Sequence, residues 1–471
     1  MTTLLDREEE LAALRARLEQ DNSLSLIYGP RRAGKTFLLQ HLLSEHSDAI
    51  YFLADETTSA AQLRRFHAQV GSSDRGGPAW NALKTEDWGQ LLDILFENET
   101  GTDAPLILVL DEIQYLLEQE ASLASILQRI VDQHRHRNRF HLILSGSALG
   151  TLSALGDAGQ PLHGRLDLRL KVNPFDFPEA ALFAPRWSKT DRLRLYGVFG
   201  GIARHLAEIR EDQDLAANAC RAILSPMGPL HEAPLDMLRV ERLSSRAEAE
   251  AVLSSIAQGE NRFNAIAARG NLPSSRLDYV LKELQALEII ERETRFGDRQ
   301  GSRMARYRCR DPFVEFWFRL VQPNRSALQG TSPERIWSER IAERLDGHMG
   351  LVFERIVAQA LQRGLLQDSL GPLDELGSWW SRDGRTQIDL MARFGDSLLL
   401  VECKWRADKN APSGALAQLK DHAGRLPMPK NIRHIRFAIA SAGRLPRPKK
   451  TDPDPPILIG LSDLLPKNRL K

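Results

Sequence analysis

The chain has 471 residues and a formal net charge of +1, and 42% of its residues are hydrophobic and 27% charged. This composition is typical of a globular protein, and the length exceeds what one core usually supports, so we expect two to four domains. The composition excludes several classes, because the sequence has no apolar run long enough to span a bilayer, no basic-then-apolar secretion signal, and only three widely separated cysteines. We therefore expect a cytoplasmic protein without membrane contacts, disulfides or a CxxC zinc site.

A phosphate-binding loop pattern, GPRRAGKT, occupies residues 29–36. The apolar run LSLIY precedes it and the apolar helical pattern FLLQHLL follows it, so the motif lies at a predicted strand-to-helix turn. The glycines allow backbone amides to face a phosphate, Lys35 would reach the β- and γ-phosphates, and Thr36 would bind Mg²⁺. We predict an ATP site whose loop residues contact the nucleotide: Gly29, Pro30, Arg31, Arg32, Ala33, Gly34, Lys35 and Thr36.

Two further apolar runs end in polar residues. LILVLDE, at residues 106–112, ends in Asp111 and Glu112, about 75 residues after the loop. Asp111 can hold the magnesium ion through water, and Glu112 can orient or deprotonate the attacking water. HLILSGS, at residues 141–147, ends in Ser145 and Ser147, whose hydroxyls could sense the γ-phosphate or could equally cap a turn. Alternating strands and helices over residues 1–180 predict a doubly wound α/β sheet.

Together these motifs resemble the archaeal-type ATPase family, a STAND-like, AAA+-related class of P-loop ATPases. The resemblance covers residues 4–325 and includes GPRRAGKT, LVLDEIQYL, LILSGS and the residues Arg7, Glu8, Leu11, Gly164, Arg165, Gly200, Gly201, Ile202, Ala203 and Arg204. It implies that Arg165 contacts the γ-phosphate of its own or a neighbouring subunit, that a homo-oligomer can form, and that residues 181–240 are a helical lid. The lid motif of the family usually reads GGxP, whereas Ala203 stands at the proline position here.

Residues 241–310 show three helical patterns followed by two β-like runs, LEIIERE and MARYRCR. This order predicts a winged helix-turn-helix whose third helix, residues 274–287, would enter a major groove. The helix and the loop RFGDRQGSR carry residues that could contact phosphates: Arg276, Lys282, Arg295, Arg299 and Arg303. Asp278 and Glu283 on the same helix oppose DNA binding, so DNA contact and protein contact remain equal alternatives.

Residues 311–345 are interpreted as a connecting helical segment. It begins with DPFVEFWF, which resembles the start of the domain of unknown function that is fused to these ATPases. Its aromatic residues favour a core position over a base-stacking platform: Phe313, Phe316, Trp317 and Phe318.

The last region, residues 346–471, contains two strand-like runs with charged ends. Side chains alternate along a strand, so Glu402 shares a face with Lys404, and Asp389 joins them if the two strands are neighbours. Two carboxylates and a lysine suit metal-dependent phosphodiester hydrolysis: Asp389 and Glu402 would hold Mg²⁺ or Mn²⁺, Lys404 would position water, and Glu354 would complete the shell. The spacing D-x12-E-x-K resembles the PD-(D/E)xK nucleases, which implies an α/β restriction-endonuclease-like domain.

A basic stretch lies between Asp421 and Asp452, where the sequence has no acidic residue. A solvated face and a phosphate-binding surface are alternatives for its members: Arg425, Lys430, Arg433, Arg436, Arg444, Arg447, Lys449 and Lys450.

The sequence thus predicts an ATP-binding and ATP-hydrolysing protein that couples its nucleotide state to DNA binding or metal-dependent DNA cleavage. The alternative is a nucleotide-switched, STAND-type signalling or transcriptional regulator, whose nuclease-like domain binds DNA without cleaving it. DNA is the expected partner in both cases.

Overall fold

The computed structural model describes residues 7–76, 80, 82–85, 87–98, 104–137, 139–147, 149–241, 243–299, 301–302, 304–405, 411–426, 431–443, 445 and 455–465. The predictions for Arg303, Lys430, Arg444, Arg447, Lys449 and Lys450 lie outside these ranges. The chain divides into two compact units, Met1–Pro174 and Phe175–Lys471. The predicted domain boundaries at residues 180, 240, 310 and 345 stay predictions.

The first unit is built on a five-stranded parallel sheet. Its strands are β1 (Asn22–Tyr28), β2 (Ile50–Leu53), β3 (Leu106–Asp111), β4 (Phe140–Gly146) and β5 (Leu168–Lys171), in the spatial order β2-β3-β4-β1-β5. Every residue of β3 and β4 is buried, which requires cover on both faces of the sheet and explains why these strands are continuous apolar runs. The predicted α/β fold with a parallel central sheet is confirmed.

Helices cover both faces of this sheet. They are α1 (Glu8–Leu18), α2 (Lys35–Leu43), α3 (Ser59–Gly71), α4 (Trp88–Asn98), α5 (Gln114–Gln119), α6 (Leu123–His134) and α7 (Leu149–Ala154). One apolar core joins the sheet to α1 and α2 through Leu14 and Leu39, and a separate core joins it to α3, α4 and α6 through Phe66 and Phe96. This arrangement leaves the carboxyl ends of the strands for the predicted nucleotide site.

The second unit begins with short helices, α8 (Phe177–Ala180), α9 (Lys189–Phe199), α10 (Ala203–Leu206), α11 (Leu215–Ala219) and α12 (Ala233–Val240), with a 3₁₀ turn at Ala181–Phe183 and a π-helical turn at Cys220–Leu224. Three helices follow, α13 (Arg246–Ala257), α14 (Phe263–Gly270) and α15 (Ser274–Ala286), and then an antiparallel hairpin of β6 (Ile290–Glu293) and β7 (Arg306–Cys309). These elements occur in the predicted order, while their assignment as a winged helix stays a prediction.

The connecting segment is helical. Residues 311–345 contain α16 (Pro312–Phe316), α17 (Arg325–Leu328), α18 (Pro333–Ile336) and the start of α19 (Ala342–Gln362), with π-helical turns at Trp317–Val321 and Trp337–Ile341 and a 3₁₀ turn at Gln322–Asn324. The short helix α20 (Gln367–Leu370) follows in the last predicted domain. The aromatic residues of the DPFVEFWF motif are fully buried, which confirms their predicted core position: Phe313, Phe316, Trp317 and Phe318. Among the described helices, none is both long and apolar enough to cross a membrane.

A second, mixed sheet ends the described chain. Its strands are β8 (Glu375–Trp380), β9 (Gln387–Phe394), β10 (Ser397–Lys404), β11 (His434–Ser441) and β12 (Ile457–Ile459), in the order β12-β11-β10-β9-β8. Leu399 and Val401 join the core that contains α19, whereas Leu398 and Leu400 pack with α21 (Ala411–Ala423) on the other face. The alternation along β10 therefore places Glu402 and Lys404 on one face, as predicted.

The loop of the β6–β7 hairpin packs on the edge strand of this sheet. The backbone N–H of Phe296 donates to the carbonyl of Ser378 (2.8 Å), and Trp380 Nε1 donates to the carbonyl of Met304 (3.0 Å). The Phe296 ring is buried in one apolar cluster with Trp379. The hairpin loop thereby covers part of strand β8, whose backbone groups would otherwise face solvent.

Two adjacent glycines join three segments of the second unit. Gly200 follows α9 with a φ of 69°, and a Cβ there would lie 2.1 Å from Asp311 Oδ1. Gly201 accepts a backbone hydrogen bond from Phe175 (2.7 Å), and a Cβ on Gly201 would lie 2.0 Å from the Phe175 carbonyl oxygen. The glycine pair of the lid motif is therefore a turn in close contact with its neighbours.

We expect Gly201→Ala to destabilise the protein by about 1–3 kcal/mol, because its Cβ must displace the Phe175 backbone. The matched control is Gly347→Ala in the middle of α19, where a Cβ meets no neighbour and a gain of about 0.5–1 kcal/mol is expected. Thermal and denaturant unfolding measure both changes. Equal stabilities of the two variants would contradict the close contact.

Candidate functional site

The phosphate-binding loop lies between the carboxyl end of β1 and the start of α2. A Cβ at Gly29 would lie 2.2 Å from the carbonyl oxygen of Val172, so only glycine fits this close approach. Gly34 has a φ of 101°, a left-handed conformation that favours glycine. Lys35 is 4% exposed, and its Nζ donates to the carbonyls of Gly29 and Pro30 (2.9 Å each). The ammonium group therefore lies over the loop itself.

Two arginines, one outside the loop and one within it, tie the loop to other segments. Arg7 Nη2 donates to the carbonyl of Ala33 (3.2 Å) and to that of Asn173 (2.7 Å), which ties the loop to the segment after β5. Arg31 Nη2 donates to the hydroxyl of Tyr115 (3.0 Å) on α5, one turn beyond the predicted catalytic carboxylates. Arg7, one of the residues that carry the family resemblance, therefore supports the phosphate-binding loop.

Asp111 is fully buried at the end of β3. Its Oδ2 accepts hydrogen bonds from Thr36 Oγ1 (2.9 Å) and from the Tyr51 hydroxyl (2.6 Å). Burial, and next the hydrogen bond to Asp111, hold the pKa of Tyr51 well above its usual range, so this hydroxyl stays a donor. Sequence reasoning missed Tyr51, although its place in the strand IYFL beside β3 was the available signal.

Glu112 has a left-handed backbone with a φ of 53°. Its Oε2 accepts hydrogen bonds from Ser147 Oγ (3.0 Å) and from Gln114 Nε2. Ser147 therefore contacts the predicted catalytic carboxylate, because β4 lies next to β3 in the sheet. The Ser145 hydroxyl is buried and has no hydrogen-bond partner among the described residues. Sequence reasoning missed Gln114.

The residues present fit an ATP–Mg²⁺ complex, since the Thr36 hydroxyl and an Asp111 carboxylate oxygen lie 2.9 Å apart beside the loop that carries Lys35. Lys35 would hold the phosphates, and Thr36 and Asp111 would hold the magnesium ion, which neutralises phosphate charge when bound. Within the described part of the chain, no group of three or more acidic, histidine or cysteine side chains could hold a metal ion. Magnesium would therefore take its other ligands from phosphate and water.

Arg165 lies away from the phosphate-binding loop. Its Nε and Nη2 donate to the two carboxylate oxygens of Asp132 on α6, at 2.7 Å each. Asp167, two residues on, accepts from the backbone N–H of Leu24 near the start of β1 (2.8 Å). The loop follows the other end of β1, roughly 16 Å further along the strand. This arrangement does not bring Arg165 to the phosphates of its own subunit, so the predicted γ-phosphate contact stays a prediction for a neighbouring subunit.

The second predicted site forms where β9 begins and the antiparallel strand β10 ends. The register pairs Leu390 with Val401, which places Asp389 and Glu402 at the same level of neighbouring strands. Asp389 Oδ2 accepts a hydrogen bond from the backbone N–H of Cys403 (2.8 Å), and Lys404 Nζ donates to Glu402 Oε1. The structure therefore brings together the two carboxylates and the lysine.

Glu354, on α19, belongs to the same charged neighbourhood. Burial, and next the negative charge of Asp389, raise the pKa of Glu354 to about 8. Burial, and next the charge of Glu402, raise the pKa of Asp389 to about 6. The three carboxyl groups thus lie close enough for each negative charge to oppose the next.

Carboxylate oxygens suit Mg²⁺ or Mn²⁺, and a divalent cation would relieve this repulsion. Among the described residues, however, Glu354, Asp389 and Glu402 do not form a ready cation site, and the Lys404 ammonium group occupies one Glu402 oxygen. The metal-binding roles of these three residues are therefore not confirmed and stay predictions.

The predicted DNA-contacting residues of the middle region are mostly engaged with acidic groups. Arg276 pairs with Glu248 (2.5 Å), Lys282 with Asp278 (2.7 Å), and Arg295 with Asp298 (2.9 Å). Arg299 is exposed. In the basic stretch near the carboxyl terminus, Arg425 pairs with Asp421, whereas Arg433 and Arg436 are exposed. The exposed face of α15 therefore carries less free positive charge than its sequence indicates.

Residues 4–209 match the family of ATPase domains found predominantly in Archaea. Over these residues the chain is similar to an archaeal-type ATPase domain. This ATPase domain includes the phosphate-binding loop, Asp111, Glu112 and Arg165, which supports nucleotide binding and hydrolysis. Residues 317–414 match a family of archaeal and bacterial proteins of unknown function, and this match includes Glu354, Asp389, Glu402 and Lys404. It supports the resemblance to the fused domain and assigns no nuclease activity.

Relatives and solved structures show similarity beyond the ATPase domain. An uncharacterised protein of Methanocaldococcus jannaschii is 29% identical over 413 residues, which are 85% of this chain and 87% of that protein. The Walker-type ATPase of Pyrococcus abyssi is 22% identical, with a TM-score of 0.49 over 67% of this chain and 96% of its own. The ORC2 protein of Aeropyrum pernix is 17% identical, with a TM-score of 0.45 over 70% and 96% of the two chains. Both TM-scores lie below 0.5, so neither likeness assigns a fold or a function to this chain.

We expect Tyr51→Phe to raise the Mg²⁺ concentration needed for half-maximal ATP hydrolysis several-fold, because Asp111 loses one of its two hydroxyl donors. Nucleotide binding without Mg²⁺ should change little. The control is Tyr28→Phe, which removes a hydroxyl at the end of β1. An unchanged Mg²⁺ dependence in Tyr51→Phe would show that this hydroxyl does not position Asp111.

We expect Glu354→Gln to stabilise the protein at pH 8 and to change little at pH 4.5. The folded state holds the Glu354 proton up to about pH 8, whereas an ordinary glutamate loses it near 4.5, so the wild type loses stability as the pH rises between these values. The gain at pH 8 should be on the order of 2 kcal/mol. Thermal unfolding across this range measures it, with Glu343→Gln on the exposed side of α19 as the control. Parallel pH profiles for the two variants would refute the buried repulsion.

Proposed function

We propose that this protein binds and hydrolyses ATP in its first unit and uses the nucleotide state to control DNA binding or metal-dependent DNA cleavage in its second unit. The observation that carries the proposal is the convergence of Asp389, Glu402 and Lys404 at the start of β9 and the end of β10, with Glu354 beside them. An ATPase domain precedes this cluster in the same chain. Two sites of phosphate chemistry in one protein suggest that one regulates the other.

In the ATPase domain, each residue has a separate task. Lys35 would neutralise the β- and γ-phosphates, and Thr36 with Asp111 would bind the magnesium ion. Glu112 would orient the attacking water and accept its proton, while Ser147 and Gln114 hold its carboxylate in place. Arg165 would leave Asp132 and contact the γ-phosphate of a neighbouring subunit in a homo-oligomer.

In the second unit, the carboxylates and the lysine would act on a phosphodiester. Asp389 and Glu402 would hold Mg²⁺ or Mn²⁺, with Glu354 as a further ligand, and the ion would polarise the phosphate and lower the pKa of a water. Lys404 would stabilise the developing negative charge once the metal replaces it at Glu402. The three helices and the hairpin that precede this site would act as a winged helix that relays the nucleotide state.

A second candidate is a nucleotide-switched, STAND-type regulator whose C-terminal domain binds DNA without cleaving it. The direct Lys404–Glu402 contact favours this candidate, because it satisfies a Glu402 oxygen without metal. It is also favoured because the described acidic residues form no ready cation site. The two candidates agree on ATP and DNA and differ only in turnover at Asp389.

We expect labelled double- or single-stranded DNA to be cleaved in the presence of Mg²⁺ or Mn²⁺, and ATP to change the rate. Asp389→Ala should abolish cleavage, because it removes the carboxylate at the level of Glu402. Lys35→Ala should abolish ATP hydrolysis and make DNA handling insensitive to ATP. Gel electrophoresis of the products and phosphate release measure these effects.

The matched control for Asp389→Ala is Asp383→Ala, an exposed carboxylate in the turn that precedes β9. Cleavage that survives Asp389→Ala would indicate a contaminating nuclease. Intact DNA under every metal condition, with binding preserved, would select the regulator. Lys35→Ala protein that still responds to ATP would overturn the proposed coupling.

A further inference from the structure

The hairpin strand β7 carries arginines that differ in how their charges are compensated. Arg308 pairs with Glu293 (3.9 Å) and Glu291 (3.8 Å), and Arg310, which follows the strand, pairs with Glu288 (2.8 Å). Arg306, two residues before Arg308, forms no ion pair with any described residue. A cation that is partly buried without a carboxylate partner costs free energy, so its retention needs an explanation.

Arg306 is nevertheless held in one orientation. Its guanidinium group stacks over the ring of Trp380 at 4.1 Å, and its Nη1 donates to Gln387 Oε1 (3.0 Å). Its Nε is buried and has no hydrogen-bond partner among the described residues. Trp380 is itself held by the hydrogen bond from its Nε1 to the carbonyl of Met304. Arg306 is thus preorganised by aromatic stacking and one amide contact, with donor capacity left over.

A second uncompensated arginine lies beside it. Arg262, at the start of α14, is exposed and forms no ion pair with any described residue. A Cβ at Gly384 would lie 2.4 Å from Arg262 Nη2, so this guanidinium group lies against the turn between β8 and β9. Burial, and next the positive charge of Arg262, lower the pKa of Arg306, which places the two guanidinium groups within electrostatic reach of each other.

The two arginines therefore meet at the entrance to β9. Gln387, which Arg306 contacts, is the first residue of β9 and precedes Asp389 by two residues. Two residues along a strand span about 7 Å, so an anion bound at Gln387 lies close to the cluster at Asp389. The carboxylates Glu293 and Glu354 reduce the local positive charge only from a longer distance. Neither guanidinium group has a carboxylate partner among the described residues, and both lie next to a carboxylate–lysine cluster, so an anion that contacts both arginines would compensate their charge.

We propose that Arg262 and Arg306 form a phosphate-binding site for the backbone of DNA, adjacent to the cluster of Asp389, Glu402 and Lys404. Arginine suits this task because its planar guanidinium group presents paired N–H donors to phosphate oxygens. The hairpin region would then bind DNA through the side that faces the second sheet, whereas α15 would not be the principal contact. The identity of the anion as DNA rests on the proposed function, and the arginine pair itself does not.

The test is DNA binding by the full chain, measured by fluorescence anisotropy of labelled DNA in EDTA, so that no cleavage occurs. We expect the double variant Arg262→Gln/Arg306→Gln to bind on the order of tenfold more weakly at moderate salt. The slope of log affinity against log salt concentration should fall by about 2, because each lost phosphate contact removes about 0.9 from it. Unchanged affinity and slope would overturn the proposal.

Further variants distinguish the loss of positive charge from a loss of structure, and the arginine pair from α15 as the DNA-binding surface. Arg306→Lys keeps the charge but loses the planar guanidinium group, so it should keep the wild-type salt slope and bind more tightly than Arg306→Gln, whereas a merely structural role for Arg306 would leave the two variants equally impaired. Arg335→Gln removes an exposed arginine that pairs with Glu339 and should bind as the wild type does. Lys282→Gln on α15 should also retain binding, and a larger loss there than in the double variant would assign DNA to α15.

The same measurements separate this inference from the proposed nuclease. Binding that depends on Arg262 and Arg306, without metal-dependent cleavage, would support the phosphate site and refute the nuclease. Cleavage that the double variant performs with an unchanged KM would support the nuclease and refute the phosphate site. RNA of the same sequence is the second probe, and binding of RNA alone would exclude DNA as the ligand. No binding of either nucleic acid by the wild type, with ATP, with ADP or without nucleotide, would refute the phosphate site.

Discussion

The contact between the β6–β7 hairpin and strand β8 decides how the second unit is built. Phe296 contributes its ring to the apolar cluster under the second sheet, and Ser378 both accepts from the Phe296 backbone and donates to Glu293 (2.6 Å). A hairpin loop whose arginines had no protein partners could bind in a groove of DNA. Here the loop is packed against protein, and its Arg295 is bound to Asp298 and to the Trp380 carbonyl. The charge of Arg295 is therefore bound within the hairpin loop and against the second sheet.

This contact has an electrostatic consequence. It brings Arg308 and Glu293 towards Glu354, whose carboxyl group is already opposed by Asp389. The cluster at the start of β9 and the end of β10 therefore contains four carboxylates together with several cations that partly compensate their charge, and it is not an isolated acidic site. The electrostatic energy of this cluster changes strongly when a cation or a phosphate binds, because interactions between partly buried charges are weakly screened.

The ATP site is organised by hydrogen bonds instead of opposing charges. Asp111 accepts hydrogen bonds from Thr36 and Tyr51, and Glu112 accepts hydrogen bonds from Ser147 and Gln114. Lys35 donates to a carbonyl of the loop. Each of these predicted site residues thus has a partner on a neighbouring strand, loop or helix that fixes its orientation in the absence of nucleotide. Preorganised groups of this kind need little rearrangement during the reaction.

The sequence by itself determined the features that local patterns encode. The GPRRAGKT loop, the apolar strand before Asp111 and the alternation along β10 each follow from a short run of residues, and so do the parallel first sheet and the burial of Phe313 and Trp317. Only the tertiary structure decided which side chains meet across distant segments. Tyr51 reaches Asp111 because β2 pairs with β3, Arg165 lies beside Asp132 because α6 ends at the same edge of the sheet, and Arg306 reaches Gln387 because the hairpin packs on β8. Such contacts depend on strand order and on packing between segments up to 81 residues apart, for which a single sequence carries no local periodic signal.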